Sequence, residues 1–381
     1  MTIYESDHEL FRDSFRAFTE SELKPNVAQW ESDGIMDRSV YVEAGKHGFT
    51  GMAVPEAFGG GGVKDFRFNA VLNEEIARAG IGGGGQGLLL HNDITTPYFI
   101  EYCTDEQSER WLPGIATGEL ITAIAMTEPG TGSDLQSIAT TAVQDGDEWV
   151  LNGAKTFITN GINSDLVIVA CKTGDPADRA NSMSLLVVER GMEGFERGRN
   201  LDKIGQHSAD TAELFFSDVR VPANNVLGEI GRAFDYLSFN LAQERLAIGL
   251  FGVAAARTML DWTVEYVKER EAFGKPIASF QNTKFVLAEV ATEVDVTQPF
   301  IDQCVTKLNA EELSPTDAAK AKFWGSELQK RTADRCLQLF GGYGYMTEYP
   351  IGQAYVDARI STIYGGTSEI MKTIISKDVL A

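Results

Sequence analysis

The chain has 381 residues, of which 43% are hydrophobic and 23% charged, and its formal net charge is -22. This length and composition predict a globular protein of two or three structural units. The acidic balance argues against nucleic acid as a partner, because phosphate binding needs clustered Lys and Arg.

The Cys and His residues are scattered and form no CxxC motif, which favours reduced thiols over a disulfide framework and argues against a metal site. Residues 1–10 lack the basic and apolar regions of a signal peptide. No uncharged apolar run reaches the roughly 18 residues needed to span a bilayer. We therefore expect a cytoplasmic protein with no membrane span.

The first third of the chain predicts helices. Between residues 5 and 30 apolar residues recur at the spacing of an amphipathic helix, at Leu10, Phe11, Phe15 and Phe18. Further helices are predicted at 43–47, 69–78, 88–102 and 105–115, the last with Asp105 as its N-cap. The glycine runs 59–62 and 82–85 are interpreted as loops. A phosphate cradle is the alternative, but neither run is followed by Lys-Ser or Lys-Thr.

A strand-like run at 120–126 ends in a turn rich in Pro and Gly, where the backbone can bend tightly and approach a ligand. Its N–H groups, with hydroxyls of Thr127, Thr131 and Ser133, could bind a polar heterocycle or a pyrophosphate. Phe157 and Thr159 alternate and can share one face of a strand. These features suggest a planar cofactor. A hairpin without ligand is the alternative, because a lone Gly-rich turn is weak evidence.

Between residues 121 and 231 short β-rich runs alternate with turn residues. Strands are predicted at 149–153, 166–170, 184–188 and 213–216, most simply as an antiparallel unit. Helices are predicted again at 234–270, 280–296, 316–340 and 367–380. Interruptions or helix starts are expected at Pro276, Pro299 and Pro315. The fold class is therefore α+β, with domains at 1–120, 121–231 and 232–381.

Glu244 has an unusual place on the long predicted helix. Leu237, Leu241 and Ile248 form an apolar stripe, and Glu244 lies within it. Loss of solvation on a buried face should raise its pKa toward that of a general base near neutral pH. From the spacing alone an ion pair with Arg245 or another side chain is slightly favoured, because Glu is common in helices.

Three segments together resemble the acyl-CoA dehydrogenase family, and the resemblance covers nearly the whole chain. They are 127–134 (Thr-Glu-Pro-Gly-Thr-Gly-Ser-Asp), 152–161 (Asn-Gly-x-Lys, then Phe-Ile-Thr-Asn-Gly) and 363–370 (Ile-Tyr-Gly-Gly-Thr-Ser-Glu-Ile). The resemblance implies an N-terminal helical domain, a middle antiparallel β domain and a C-terminal four-helix bundle. It also implies FAD, with Phe157 where the family often has a Trp against the isoalloxazine ring.

The reaction implied by the resemblance is the dehydrogenation of a fatty acyl-CoA to trans-2-enoyl-CoA, as in β-oxidation. Many members have a Glu before Gly-Thr in the C-terminal motif, where it removes the α proton; here that position is Gly365. Residues 241–246 resemble the long-chain and isovaleryl branches, in which the base lies on this helix. We therefore predict that Glu244 takes the α proton while a hydride passes to flavin N5. The Gly365 N–H and a ribityl hydroxyl are expected to stabilise the thioester oxygen.

The remaining contacts are carried over by matching position. Contacts to FAD within the subunit are expected from Met126, Thr127, Gly132, Ser133, Phe157, Ile158, Thr159, Thr367 and Glu369. Contacts to FAD of a neighbouring subunit are expected from Arg270, Phe273, Gln281, Gln338, Leu339, Gly341 and Gly342. Substrate contacts are expected from Ser133, Arg245, Gly365 and Gly366. Taken alone, Arg270 could be a solvated helix end, and Arg245 part of a salt bridge.

Because contacts come from a second chain in the family, the resemblance implies a dimer and favours a homotetramer, a dimer of dimers. The partner that reoxidises the flavin would be an electron-transfer flavoprotein. Alternatives are a branched short-chain (isovaleryl-like) acyl-CoA dehydrogenase, an acyl-CoA oxidase-like flavoenzyme, and an inactive FAD- or CoA-binding homologue. Acyl preference would depend on an apolar channel lined from residues 88–99 and 239–241.

Overall fold

A computed structural model describes residues 2–175, 178 and 181–381. Within them the helices α1 to α12 are Ser6–Phe18, Val27–Asp33, Ser39–Lys46, Arg67–Ala79, Gly82–Leu89, Thr96–Tyr102, Asp105–Ala116, Ala233–Glu269, Gln281–Asn309, Pro315–Phe340, Pro350–Ala358 and Ser368–Val379. The strands β1 to β10 are Thr122–Ala125, Thr141–Asp145, Glu148–Thr159, Leu166–Lys172, Met183–Glu189, Phe195–Asn200, Thr211–Pro222, Val226–Leu227, Glu271–Ala272 and Lys275–Pro276. The predicted order of a helical, a β and a second helical region is confirmed.

The N-terminal helices differ from prediction in their details. The helix expected over 5–30 is interrupted after α1 by a π-helical turn at Thr19–Leu23 and a 3-10 turn at Lys24–Asn26. The N-cap of α7 is Thr104, so the assignment to Asp105 was wrong. Thr104 Oγ1 accepts the Gln107 N–H at 3.3 Å, and the Gln107 side chain accepts the Thr104 N–H at 2.9 Å. This reciprocal pair satisfies two donors at the helix start.

The prediction of a loop at 82–85 was wrong, because these glycines form the first half of α5. Close packing explains the composition. A Cβ at Gly85 would lie 2.3 Å from Ile76 Cγ2, and one at Gly83 would lie 2.6 Å from Ser208 Oγ. Tertiary contacts therefore stabilise a helix that glycine propensity disfavours. The helix can approach its neighbours this closely only without side chains.

The middle sheet has the strand order β6-β7-β3-β2-β4-β5-β8, with β1 paired to β4. The expectation of an antiparallel sheet was wrong at two places. β1 runs parallel to β4, with Thr122 opposite Leu166 and Ala125 opposite Val169, and β2 meets β4 in parallel at Thr141 and Lys172. The short strands β2, β6 and β8 were not predicted, because their burial patterns lack a clean alternation of apolar and polar residues. The pairing of β1 with β4 brings the turn after β1 beside β3, where Thr127 O accepts the Thr156 N–H.

The C-terminal region is built from α8, α9, α10 and α12, with α10 packed against the other three. Pro299 was expected to interrupt a helix, but α9 continues through it to Asn309. Packing of its Val290, Val294 and Ile301 in the core shared with α8 compensates for the lost backbone bond. Pro315 does begin α10, after the N-cap Ser314. The helix α11 was not predicted.

The helices α8 and α10 cross with their backbones in near contact. A Cβ at Gly249 would lie 2.4 Å from Ala321 O, and one at Gly252 would lie 2.6 Å from the Gly325 carbonyl oxygen. Glycine at these positions lets the two helices approach more closely than side chains would permit. The crossing lies one to two turns beyond Glu244 on α8.

Polar contacts join the N-terminal helices to the other two regions. The buried Asn160, after β3, accepts from Tyr41 Oη at 2.8 Å and donates to Gly87 O at 3.0 Å. Gln243 of α8 donates to Asp93 O at 2.7 Å. These bonds fix the end of β3 and the start of α8 relative to the same helical layer.

None of the helices in the described part of the chain combines the length and apolar character of a bilayer-crossing helix. Within the same residues, no group of three or more His, Cys, Asp and Glu side chains is placed to hold a metal ion.

The α8–α10 crossing predicts a stability effect. Gly249→Ala should lower the free energy of unfolding by about 1–3 kcal/mol, because the added methyl group must displace the α10 backbone. Ser238→Ala introduces the same side chain at an exposed position of α8 and should change it by less than about 0.5 kcal/mol. Denaturant unfolding of both variants measures the difference. A Gly249→Ala protein as stable as its parent would contradict the close crossing.

Candidate active site

Glu244 lies on α8 with its side chain buried, and the residue is 8% exposed. Burial raises the pKa of its carboxyl group to about 7, although the positive charges of Arg245 and Lys322 act in the opposite direction. The carboxylate accepts no hydrogen bond and forms no ion pair with the described residues. The ion pair with Arg245 that the sequence left open is therefore not formed.

Gly365 faces this carboxylate. Its φ is +61°, and a Cβ built on it would lie 3.3 Å from Glu244 Oε1 and 2.3 Å from Ile248 Cδ1. A positive φ disfavours residues with side chains, and a Cβ here would force the flexible end of the Ile248 side chain to move. Both effects favour glycine at 365 beside Glu244.

Two more polar groups near Glu244 are buried without partners among the described residues, Tyr98 Oη and Arg245 Nε. Burial raises the pKa of Tyr98, and the charge of Glu244 adds to this. Burial lowers the pKa of Arg245, against the effect of Glu244. An unsatisfied buried polar group costs about 1–3 kcal/mol. Such a group beside a buried carboxylate is typical of a site that a ligand completes.

Lys155 and Glu128 fasten the turn after β1 to β3. The completely buried Lys155 donates from Nζ to Glu128 Oε1 at 2.8 Å and to Met126 O at 3.0 Å. Glu128 also accepts the backbone N–H groups of Ala139 and Thr140. Burial raises the pKa of Glu128, but these donors together hold it below its usual value. The backbone around Met126 is therefore fixed from within the protein.

The tip of the same turn offers free hydrogen-bonding groups. Gly132 and Ser133 are exposed, and Thr127 is half-buried. No hydrogen bond of the Thr127 or Ser133 hydroxyl is present among the described residues. Thr127 O accepts the Thr156 N–H at 3.0 Å, so the tip lies alongside β3. The two sequence segments that suggested a planar cofactor are neighbours in space.

Phe157 is 67% exposed and has a φ of +60°, which is rare for an aromatic residue. A bulge in the β3–β7 pairing between Lys155 and Ile158 produces this conformation. The Ile158 side chain is packed in the sheet core, so this residue can offer a ligand only its backbone. Thr159, two residues beyond Phe157, is half-buried. A strained, exposed ring beside free hydroxyls fits a flat ring system such as the isoalloxazine of FAD.

The C-terminal loop is anchored on both sides of Gly366. Its carbonyl oxygen accepts a hydrogen bond of 2.6 Å from the buried Lys322 Nζ on α10. Thr367 Oγ1 caps α12 by accepting the Ile370 N–H at 3.3 Å. Glu369 is exposed on the first turn of α12. The Thr367 hydroxyl is thus engaged within the protein, while the side chain of Glu369 remains accessible.

A second group of predicted contacts lines a separate cavity of about 520 Å³. Its walls include Arg270, Gln338, Leu339, Gly341 and Gly342. The Arg270 guanidinium lies 5.3 Å from the centre of the Tyr343 ring. Phe273 and Gln281 do not line this cavity. Phe273 is 95% exposed on the nearby β9–β10 hairpin, and Gln281 is exposed at the start of α9.

The structure therefore divides the predicted residues into two groups. One surrounds Glu244, Gly365 and the turn after β1, whose Met126 packs against the same hydrophobic cluster as Leu237 of α8. The other surrounds Arg270, beyond the opposite end of this 37-residue helix. At 1.5 Å per residue, roughly 40 Å separate Glu244 from Arg270. The first group has the exposed aromatic ring, the unengaged hydroxyls and the buried carboxylate that FAD and a thioester would require.

Sequence reasoning missed Lys322 and Tyr98. A signal existed for Lys322, because Ala318 and Gly325 lie four residues before and three residues after it on the predicted helix. Lys322 therefore belongs to a stripe of small residues and is expected on a buried face, by the same argument that singled out Glu244. Tyr98 carried no comparable signal, since a buried Tyr is common in protein cores.

Comparison with known proteins matches three consecutive segments of the chain to one family. Family profiles for the N-terminal, middle and C-terminal domains of acyl-CoA dehydrogenase match residues 5–119, 123–219 and 231–380. The long-chain specific acyl-CoA dehydrogenase of Mus musculus is 47% identical over 380 residues, covering 100% of this chain and 88% of the mouse protein. The CarC subunit of a caffeyl-CoA reductase-Etf complex of Acetobacterium woodii is 33% identical over 374 residues, covering 98% of each chain.

Solved structures agree. An acyl-CoA dehydrogenase from Geobacillus kaustophilus superposes with a TM-score of 0.96 at 49% identity, covering 99% of both chains. A glutaryl-CoA dehydrogenase from Mycobacterium smegmatis in complex with FADH2 superposes with a TM-score of 0.91 at 26% identity, covering 99% of this chain and 95% of the other.

The Lys155–Glu128 pair predicts a large stability effect. Lys155→Met should lower the free energy of unfolding by about 3–5 kcal/mol, because it leaves a buried carboxylate without its cation. The same substitution at the exposed Lys268 of α8 should change it by less than about 0.5 kcal/mol. Equal stabilities of the two variants in denaturant unfolding would show that the pair does not hold the turn.

Proposed function

The chain belongs to the acyl-CoA dehydrogenase family of FAD-dependent oxidoreductases that act on CH–CH groups, and on this premise we propose Glu244 as the base that removes the α proton of the thioester. One observation carries the proposal. A buried carboxylate that accepts no hydrogen bond from the described residues lies opposite Gly365, where many family members have their base. With its pKa near 7, it can accept a proton at neutral pH.

The other residues of the site bind and orient the reactants in this proposal. The Gly365 N–H donates to the thioester oxygen, where negative charge develops as the α proton leaves. Arg245 contacts the substrate, which would satisfy its buried Nε. When bound, FAD supplies a flavin N5 that accepts the hydride from Cβ. Phe157 would lie against the flavin ring, and Thr127, Ser133 and Thr159 would offer it hydroxyl donors.

A long-chain acyl-CoA is the proposed substrate class, supported by the mouse long-chain enzyme at 47% identity. Residues 88–99 are the proposed apolar lining beside the base, because Leu88 and Phe99 are buried and Tyr98 lies close enough to Glu244 for its charge to affect the pKa of Tyr98. A branched short-chain substrate and an oxidase-like reaction remain the alternatives within the family. An inactive homologue is disfavoured by the presence of a buried carboxylate opposite Gly365.

The two groups of FAD contacts support a dimer. Roughly 40 Å along α8 separates Arg270 from Glu244, so one FAD could meet both groups only if they came from different chains. We propose that the cavity at Arg270 receives FAD of a neighbouring subunit, within a homotetramer. An electron-transfer flavoprotein is the proposed electron acceptor, since a relative is a subunit of an Etf complex.

Two further expectations from the sequence stay predictions. The domain bounds at 1–120, 121–231 and 232–381 are retained as proposed. The cytoplasmic location is also retained, although the mouse long-chain relative is mitochondrial.

Replacement of the base tests the proposal most directly. Glu244→Gln should still bind FAD and acyl-CoA, but flavin reduction should slow by about 10²- to 10⁴-fold, because the proton acceptor is lost. The measurement is anaerobic bleaching of the flavin band by acyl-CoAs of several lengths and by isovaleryl-CoA. Glu265→Gln, at an exposed position of the same helix, is the control and should reduce normally. Near-normal reduction of the Glu244→Gln protein would contradict the assignment.

The pH dependence gives an independent prediction. The base must be ionised, and burial raises its pKa to about 7. kcat/KM should therefore fall as the pH is lowered through about 7, rather than through the usual range of Glu near 4.3. A profile that stays flat between pH 8 and pH 5.5 would contradict the assignment of Glu244 as the base.

A further inference from the structure

Lys322 is buried in the C-terminal helical region, yet it is a charged residue. It lies on α10 where that helix crosses α8, and a Cβ at Gly249 would be 3.1 Å from its backbone nitrogen. Its only hydrogen bond among the described residues runs from Nζ to Gly366 O at 2.6 Å. Burying an ammonium group is costly unless it is paired. The position of Lys322 therefore needs an explanation beyond packing.

The bond from Lys322 fixes the backbone next to the proposed base. Gly365 and Gly366 both have positive φ, at +61° and +95°, and neither has a side chain to anchor it. After them Thr367 caps α12, and Ser368 Oγ donates to Glu327 Oε1 at 2.9 Å. Lys322 is thus the side chain that holds the glycine pair itself. A shift of this pair would move the Gly365 N–H away from the thioester oxygen.

Lys322 also acts on Glu244 through its charge. The groups that face Glu244 are Arg245 on its own helix, Lys322 on α10, Tyr98 on α6 and Tyr364 of the C-terminal loop. Burial is the largest effect on the Glu244 pKa and raises it, whereas the two cations lower it.

The ammonium group has its own charged surroundings. Burial lowers the pKa of Lys322 to about 8, while the nearby carboxylates of Glu244, Glu327 and Glu369 favour its charged form against Arg245. At neutral pH Lys322 thus remains mainly protonated beside a carboxylate that accepts no hydrogen bond from the described residues.

We propose that Lys322 is a positioning residue of the active site: it holds the Gly365–Gly366 turn through the Gly366 carbonyl, and it places a positive charge beside the Glu244 carboxylate. The proposal rests on the assignment of Glu244 as the base. Lys322 does not touch the reacting atoms in this role. It acts on the oxyanion donor through the loop and on the base through its electric field.

The first test is the pH profile of Lys322→Met holoenzyme. Loss of the charge should move the acid limb of the kcat/KM profile to higher pH by about half a pH unit or more. The reason is that the neutral form of Glu244 is then favoured, so its pKa rises. Lys322→Arg, which keeps the charge, should return the limb toward its original position. Lys320→Met removes a partly exposed lysine from the same helix and should leave the profile unchanged. An acid limb unmoved by Lys322→Met, or moved equally by Lys322→Arg, would overturn the proposal.

A second test does not depend on turnover. The folded pKa of Glu244, about 7, lies above its unfolded value of about 4.3. Between these values the folded protein keeps a proton that the unfolded chain has lost, so the stability contributed by Glu244 falls as the pH rises. The difference in unfolding free energy between Glu244 and Glu244→Gln proteins should level off above pH 7. In the Lys322→Met background it should level off at higher pH; an unchanged curve would overturn the electrostatic role.

The outcomes separate the two claims. If Glu244→Gln alone keeps near-normal flavin reduction, the proposed function fails whatever the lysine variants do. If Glu244→Gln is inactive but Lys322→Met changes neither the kcat/KM profile nor the pH dependence of the unfolding free-energy difference, only the role of Lys322 fails. Lys322→Gln provides a second neutral variant should Lys322→Met not fold, and it is judged by the same two curves.

Discussion

The close crossing of α8 and α10 is the constraint on which the active site depends. Gly249, Gly252 and Gly325 have no side chains, so the two backbones can approach closely at these positions. The crossing places the charge of Lys322 close enough to affect the pKa of Glu244, although the two residues are 78 positions apart in the sequence. The C-terminal loop contacts both helices, because Gly365 packs against Ile248 of α8 and Gly366 O accepts a hydrogen bond from Lys322 of α10. The proposed base, the neighbouring cation of Lys322 and the Gly365–Gly366 turn are therefore all held by the same pair of helices.

Two buried lysines have comparable structural roles in different regions. Lys155 fixes the turn after β1 by bonding Met126 O and Glu128, and Lys322 fixes the loop before α12 by bonding Gly366 O. In each case an ammonium group reaches a backbone carbonyl that secondary structure leaves unsatisfied. The segments nearest the proposed flavin and thioester are thus irregular in backbone but fixed by charge-assisted bonds. Phe157 gives the first segment a strained positive φ, whereas Gly365 and Gly366 provide the positive φ values of the second segment, which glycine adopts without strain.

Much of this arrangement was predictable from the sequence where periodicity is strong. The long helices and the buried place of Glu244 follow from apolar spacing. Helix α5 was not predictable, because packing against Ile76 and Ser208 overrides the low helix propensity of glycine. The parallel pairing of β1 with β4 was also missed, since it joins residues far apart in sequence. The residue types of the site were recognisable from motifs, and the small-residue stripe of α10 indicated that Lys322 is buried. Its place beside Glu244 and Gly366 could not be predicted, because it depends on which helix α10 crosses.

The steric relation between Gly365 and α8 bears on how such enzymes diverge. A side chain at 365 would collide with Ile248, and a carboxylate there would stand beside that of Glu244. Two like charges in one buried site oppose each other's ionisation. A carboxylate at 365 and the carboxylate of Glu244 would therefore compete for one buried site. The effect of a substitution at 365 depends on which residues occupy 244 and 248, which is epistasis among three positions.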